Sequence, residues 1–218
     1  MQSIEDKIVS RIYGRGRGWA FSQKDFSQLG RREAIDVSLY RLKKKGTIRR
    51  VIRGIYEYPK NSILLNTKLS PDIDQVARAL ARKFGWNIQP SGPAALNLMG
   101  VSMQVPGRYV YLSSGPDRSY KIEKTALQFQ HAMLKEASFK LPESALIVQG
   151  LRSLGKAGIT NQVIAGIRNW LDPSLRIKVL NDTKTVTDWI YKPIQNICRE
   201  DRNGLHPFYR RISAGTNG

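Results

Sequence analysis

Acidic side chains are in short supply in this chain. Only 17 Asp and Glu stand against 36 Lys and Arg, which leaves a formal net charge of +19 on 218 residues. A field of that sign disfavours cationic partners and draws polyanions from a distance. Cysteine is reduced to Cys198, so an internal disulfide and a cysteine-based structural zinc site are both excluded. The two histidines, His131 and His206, have no second ligand at helical or loop spacing and read as ordinary polar residues. No run of ~18 apolar residues occurs, and no basic amphipathic stretch carries the broad aromatic face of a membrane-surface helix. The opening MQSIEDKIVS lacks the continuous apolar core of a signal peptide, so the expected compartment is the cytoplasm.

Catalytic signatures are missing too. There is no GxSxG elbow, no HExxH, no GxxxxGK[ST] loop and no paired-carboxylate motif. Asp72 and Asp74 sit two apart at a helix start, face different ways, and read as capping residues. The expectation is a protein with no catalytic residues, no metal and no cofactor.

What the chain does have is a concentration of positive charge near its start. Residues 1–60 hold 15 Lys and Arg against 6 Asp and Glu, a net +9, whereas the remaining 158 residues carry only +10. That uneven footprint is the one expected of phosphate binding. Within it, Gly30–Gly46 has Ile35, Leu39 and Leu42 at helical spacing, with Val37, Tyr40, Arg41 and Lys44 on the opposite side. Thr47–Val51 and Ile55–Tyr58 follow as two β-rich runs joined by Ile52, Arg53 and Gly54. Upstream, Ser3 to about Gly14 repeats Ile4, Ile8 and Ile12 on one face, and Ser22 caps a second helix, Gln23–Leu29, closed by Gly30. Helix, helix, reading helix and basic hairpin together predict a winged helix-turn-helix. Its expected core is Ile8, Ile12, Trp19, Phe21, Phe26, Leu29, Ile35, Leu39, Leu42, Ile48 and Ile55. A three-helix module that only contacts protein is the plainer alternative, and the clustering of charge argues against it.

Roles on double-stranded DNA follow from position. Arg31, Arg32, Asp36, Val37, Tyr40 and Arg41 are the base-reading candidates, since arginine can bond guanine O6 and N7 and Val37 can touch a thymine methyl. Arg31 and Arg32 lie at the helix start and are equally suited to clamping phosphate. Lys43 and Lys44, with Lys45, lie at the helix C-terminus, where cations also offset the helix dipole. In the hairpin, Arg49, Arg50 and Arg53 would meet the backbone or minor groove. The GRGRG run at Gly14–Gly18 follows a helix rather than a strand, unlike a nucleotide cradle. Arg15 and Arg17 in it either reach a phosphate or belong to a simple turn.

The remainder predicts an α+β fold in two parts. Residues 1–60 form the winged helix-turn-helix, 61–71 a linker, 72–199 an α+β domain, and 200–218 a flexible tail. The second domain is expected to hold helices over Asp74–Phe84 and Ser91–Leu98, and short strands at Trp86–Gln89, Arg108–Leu112, Ser119–Glu123 and Leu127–Ala132. These make a small, mostly antiparallel sheet. Four helices follow, over Glu143–Leu154, Asn161–Leu171, Pro173–Asn181 and Thr187–Cys198.

Three stretches resemble the AbiEi-type antitoxins, the DNA-binding members of type IV toxin–antitoxin (abortive infection) operons. They are GRGRGWAFSQKDFSQLGRREAIDVSLYRLKKKGTIRRVIRGIYEYP (Gly14–Pro59), QPSGPAALNLMGVSMQVPGRYVYLSSGPDR (Gln89–Arg118) and LRSLGK (Leu151–Lys156). The resemblance implies a winged helix that binds inverted repeats in its own promoter, and a C-terminal domain that carries antitoxin activity. It further implies a nucleotidyltransferase-like toxin, opposed without a tight toxin complex. A single winged helix reads few base pairs, so two copies on an inverted repeat are expected. The residues that would neutralise a toxin are not marked. Gln89, Ser91, Tyr109, Tyr111, Ser113, Asp117 and Arg118 form the most polar, motif-like part of the second domain, though turn and strand roles explain most of them. Two other readings stand beside this one. The first is a stand-alone regulator whose second domain senses a ligand or a protein. The second is an enzyme or nuclease subunit targeted by the winged helix, which the missing catalytic cluster weighs against.

Overall fold

The computed structural model describes residues 2–62, 67–102, 107–132 and 139–199; the expected tail at 200–218, and His206 in it, lie outside them. The chain is a mixed α+β fold. Helix α1 (Ile4–Arg15) is started by a capping box: Ser3 accepts from the Asp6 amide and Asp6 takes the Ser3 amide in return. Strand β1 (Ala20–Phe21) follows, then α2 (Arg32–Lys44) and the hairpin of β2 (Arg49–Ile52) and β3 (Ile55–Glu57). These three strands form one antiparallel sheet in the order β1-β3-β2. Ile8 and Ile12 of α1 pack against Ile35, Leu39 and Leu42 of α2, with Phe21, Phe26 and Ile48 closing the cluster; Trp19 and Leu29 are half-buried at its rim.

Two local expectations change. The helix expected over Gln23–Leu29 is a single 3-10 turn, Gln23–Phe26, held by the Asp25 carboxylate, which takes both the amide and the hydroxyl of Ser22. The chain then continues in three-residue turns, with Ser27 and Leu29 amides on the carbonyls of Lys24 and Phe26, and no α-helical ladder forms. Gly30 is not a left-handed cap either. A Cβ there would strike the side chain of Ile4, so glycine is needed for close approach to α1.

The N-terminal sheet has two buried faces, because strand side chains alternate. Phe21 and Tyr56 point to the α1–α2 cluster, whereas Ala20 and Ile55 point away from it. Ile55 was expected in the first core, yet it packs on the next helix instead. That helix is α3 (Ile73–Phe84), capped by Asp72 on the Gln75 amide and ended by Gly85 in the left-handed conformation. Its buried residues Val76, Ala77, Ala79, Leu80 and Ala81 cover a wide arc, and three of the five are alanine. Small side chains allow a sheet to approach on either side. One is the N-terminal sheet. The other is the second sheet, reached through Tyr109, Tyr111, Ile122, Leu127 and Phe129. Polar contacts lock both faces. Arg82 bonds Asp25 at 2.6 Å and the Ala20 carbonyl at 2.7 Å, while Tyr111 donates its hydroxyl to Asp74 at 2.9 Å, which also pairs with Arg78. Burial, then Asp74, pushes the Tyr111 phenol far above its ordinary value, so it serves as a hydrogen-bond donor.

The stretch expected as a linker contains a short strand pair, β4 (Asn61–Ser62) with β5 (Thr67–Lys68). The second sheet consists of β6 (Ile88–Pro90), β7 (Arg108–Ser113), β8 (Arg118–Ile122) and β9 (Thr125–His131), in the order β6-β7-β9-β8. Its outer pairs are antiparallel, as expected, and its central pair β7–β9 is parallel. Beyond it, α4 (Gly92–Leu98) packs on α5 (Pro142–Gly158), and Gly92 and Gly150 leave room for Ser153 and Met99. Helix α5 runs past the expected Leu154 and breaks at Gly155, whose φ of 63° is open to glycine. Then come α6 (Asn161–Trp170), a 3-10 turn at Pro173–Leu175, α7 (Arg176–Asp182) and α8 (Asp188–Cys198) around one apolar cluster.

Leu80 sits between the two sheets at 1 % exposure. Leu80→Ala is therefore expected to cost about 2–5 kcal/mol, measured by urea denaturation of the full chain. A loss under about 1 kcal/mol would remove α3 from the centre of the packing.

Candidate nucleic-acid interface

Helix α2 buries Ile35, Ser38, Leu39 and Leu42 and turns its other side to solvent. Val37 and Tyr40 are 48 % and 56 % exposed on that outer side, among the few large apolar side chains left uncovered. Arg41 and Lys44 lie in the same stripe and are exposed, and Lys44 Nζ is 5.6 Å from the Tyr40 ring centroid. Lys43 and Arg32 are exposed along one flank with Asp36; Arg32 lies 3.7 Å from Asp36, a solvent-exposed pair that contributes little. Arg31 is the N-cap residue, exposed, with no capping bond from its side chain. Among the described residues, no carboxylate pairs with Arg41, Lys43 or Lys44, whereas Lys45 is taken by Glu5 at 2.6 Å. Glu33, which the sequence reading does not single out, is exposed on the same stripe, and its carboxylate, like that of Asp36 on the flank, is of the kind that accepts from cytosine N4.

The hairpin distributes its arginines differently from expectation. Arg50 and Arg53 are exposed, with Arg53 at the two-residue turn beside Gly54, whose φ is 78°. Arg49 is a strut. Its guanidinium bonds Glu57 and the Leu69 carbonyl, the latter at 2.7 Å, and approaches Glu123 at 3.7 Å. Arg49 thereby ties the hairpin to the strand pair and to the β8–β9 turn, and a place in a phosphate contact does not fit it. Its partner Glu57 is 1 % exposed, and one of its carboxylate oxygens has no hydrogen-bond partner among the described residues. Burial pushes the Glu57 carboxyl up, and the Arg49 hydrogen bond opposes this. The GRGRG loop is a shaped turn with Gly16 and Gly18 at positive φ. Arg17 stacks over Tyr58 at 4.6 Å and bonds the Pro59 carbonyl at 2.9 Å, whereas Arg15 lies 5.9 Å from Trp19 and is exposed. Of the two, Arg15 keeps a charge directed at solvent and Arg17 holds the loop to β3's exit.

Over residues 5–177 the chain matches a family described only as one of unknown function, DUF6088. The chain belongs to that family. No curated protein matches it. The match runs from α1 into α7, so in this DUF6088 protein the outer face of α2, the hairpin, α3 and the second sheet fall in one matched unit. Among the described residues no group of three or more His, Cys, Asp or Glu is placed to hold a metal ion. None of its helices is long and apolar enough to cross a membrane, again among the described residues.

Two cations that the sequence does not single out, Lys24 and Lys83, lie in line with the hairpin turn, and Arg118, which the sequence marks only as part of the polar Gln89–Arg118 stretch, lies over Phe84 next to Lys83. They come from three separate elements; Lys83 reaches the Arg53 carbonyl, Lys24 the Lys83 carbonyl and Arg118 the Phe84 ring.

The raised Glu57 carboxyl gives a pH test with a definite sign. The folded protein holds that proton more tightly than the unfolded chain. The associated stability is thus full at and below the ordinary value of 4.5 and is lost as pH rises through the elevated value. Compared by urea denaturation, wild type is expected to lose ground to Glu57→Gln as pH is raised from about 4.5. A difference independent of pH would contradict this.

Proposed function

We propose that this protein is a DNA-binding transcriptional autorepressor and the antitoxin of a type IV toxin–antitoxin system. The toxin it counteracts would be nucleotidyltransferase-like, without a tight complex. The observation that carries the DNA reading is the outer face of α2, where Val37 and Tyr40 stand uncovered among Arg41, Lys44 and Lys43, none of which pairs with a carboxylate among the described residues. Exposed apolar side chains ringed by cations suit a groove, with base edges and methyls inside and phosphates on both walls.

The order of elements supports a winged helix-turn-helix. A helix, a short strand, a turn, a helix and a hairpin follow one another, and the first strand closes the sheet against the last. In that arrangement α2 enters the major groove, and Arg50 and Arg53 lie along the backbone or the minor groove. Two copies on an inverted repeat extend the reading to a useful site length. The antitoxin half rests on the sequence resemblance, and the protein acts without catalysis.

A second reading has its own observation. A cleft of about 750 Å³ lies between the start of α3, the end of α4 and the second sheet, lined by Lys60, Asp72, Asn97, Tyr109 and Glu123 among others. A cleft of that size suits a stand-alone regulator that senses a small ligand.

Two experiments test these readings. Arg41→Ala and Lys44→Ala are expected to weaken binding to the chain's own upstream DNA, by about 1–3 kcal/mol for a base-contacting residue. Gel shifts unchanged for both would take α2 out of the interface. Co-expression with an adjacent reading frame that arrests growth is expected to restore growth, and to do so equally with the α2 variants, which lose repression alone. An adjacent frame that does not arrest growth, or no rescue, would favour the ligand-sensing regulator.

A further inference from the structure

The β2–β3 turn does not end in open solvent. Lys83, at the C-terminal end of α3, lies over Gly54 with its Nζ 3.5 Å from the Arg53 carbonyl, and Lys24 Nζ lies 3.4 Å from the Lys83 carbonyl. The next residue, Phe84, is 38 % exposed, sits 5.2 Å from the Lys83 ammonium and stacks on Trp86 at 4.7 Å. Arg118 lies across both rings, 5.1 Å from Phe84 and 5.6 Å from Trp86. Arg53, Lys83, Phe84 and Arg118 thus form an unbroken ridge from the hairpin turn to the edge of the second sheet.

The SSGPDR turn is built to present that last arginine. A Cβ on Gly115 would collide with the Trp86 indole, so glycine lets the turn lie against the ring. Asp117 accepts the amide of His131 and forms no ion pair with Arg118. Among the described residues no carboxylate pairs with Arg53, Lys83 or Arg118. Burial and then the Arg53 charge push the Lys83 ammonium down, as expected for like charges held together. Offsetting the dipole of α3 accounts for Lys24, whose ammonium lies on the last-turn carbonyl of Lys83, whereas Lys83 itself reaches across to the Arg53 carbonyl of the hairpin. That offset does not account for Arg118, whose guanidinium rests on rings.

We propose that this ridge is a phosphate-binding surface that carries a DNA duplex from the α2 and hairpin face onto the second sheet, with Lys83 and Arg118 each neutralising a backbone phosphate. The inference rests on the duplex reading above. A duplex fits better than a single strand, because Phe84 and Trp86 are stacked on each other and covered by Arg118, which leaves little ring face for a base.

The test is the salt dependence of binding by the full chain, on two duplexes: its own upstream region and an unrelated sequence. Arg118→Gln and Lys83→Gln are each expected to reduce the log–log slope by about 0.9 on both duplexes, since a phosphate contact carries no sequence information. Arg118→Lys is expected to keep the slope, which separates a lost charge from a disturbed fold. Lys156→Gln on α5 removes the same charge outside the ridge and is expected to change nothing. An unchanged slope in both ridge variants, while Arg41→Ala still weakens binding, overturns the ridge and leaves the α2 reading standing. An equal loss from Lys156→Gln overturns it in favour of a diffuse charge effect. With one strand of the upstream region titrated alongside, a loss seen only on that single strand overturns the duplex assignment. No binding of either duplex by wild type overturns both readings together.

Discussion

The packing of α3 between two sheets is the constraint on which the other parts depend. Ala77, Ala79 and Ala81 keep the helix thin, so Ala20 and Ile55 can close on one side while Tyr111, Leu127 and Phe129 close on the other. A bulky residue at any of these alanines would overpack one sheet or the other. Arg82 on Asp25 and Tyr111 on Asp74 then fix the rotation of the helix about its axis. The basic N-terminal part is consequently held at a set angle to the second sheet.

That rigidity bears directly on recognition. A helix face reads DNA productively only when the hairpin and any further phosphate contacts are positioned with it, because contacts made by a mobile unit give back their gain as ordering entropy. Arg49 illustrates how the charge is divided. It carries the same charge as Arg50, but it lies opposite Glu57 in the strand pairing and is consumed by Glu57, Leu69 and Glu123. Arg50 faces out. The net positive charge therefore overstates what is free at the surface, since part of it serves as internal joinery and only the remainder could meet a polyanion.

The sequence makes some of this legible and hides the rest for physical reasons. The α2 stripe was readable because helical periodicity at Ile35, Leu39 and Leu42 dictates which residues must face out. Strand runs in the second sheet were readable from alternation. The internal role of Arg49 was not, since two of its partners, Leu69 and Glu123, lie 20 and 74 residues away. The parallel β7–β9 pair was hidden likewise, because strand order is a long-range property. Ile55 was assigned to the first core because alternation says that it is buried without saying against what. Gly30 looked like a cap and proved to be a point of close approach to Ile4. Arg118 looked like part of a turn; its cationic neighbours, Lys83 and Arg53, lie 35 and 65 residues earlier, beyond any local pattern.

The central claim is that a nucleic-acid duplex lies on the outer face of α2 and the β2–β3 hairpin, with α3 setting the angle between them. The most direct measurement is a backbone-amide NMR titration of the full chain with a short DNA duplex in moderate salt. The account requires shifts to concentrate at residues 31–45 and 50–54, with α5 to α8 unmoved. Shifts confined to α5 to α8, or absent at saturating duplex, would contradict it.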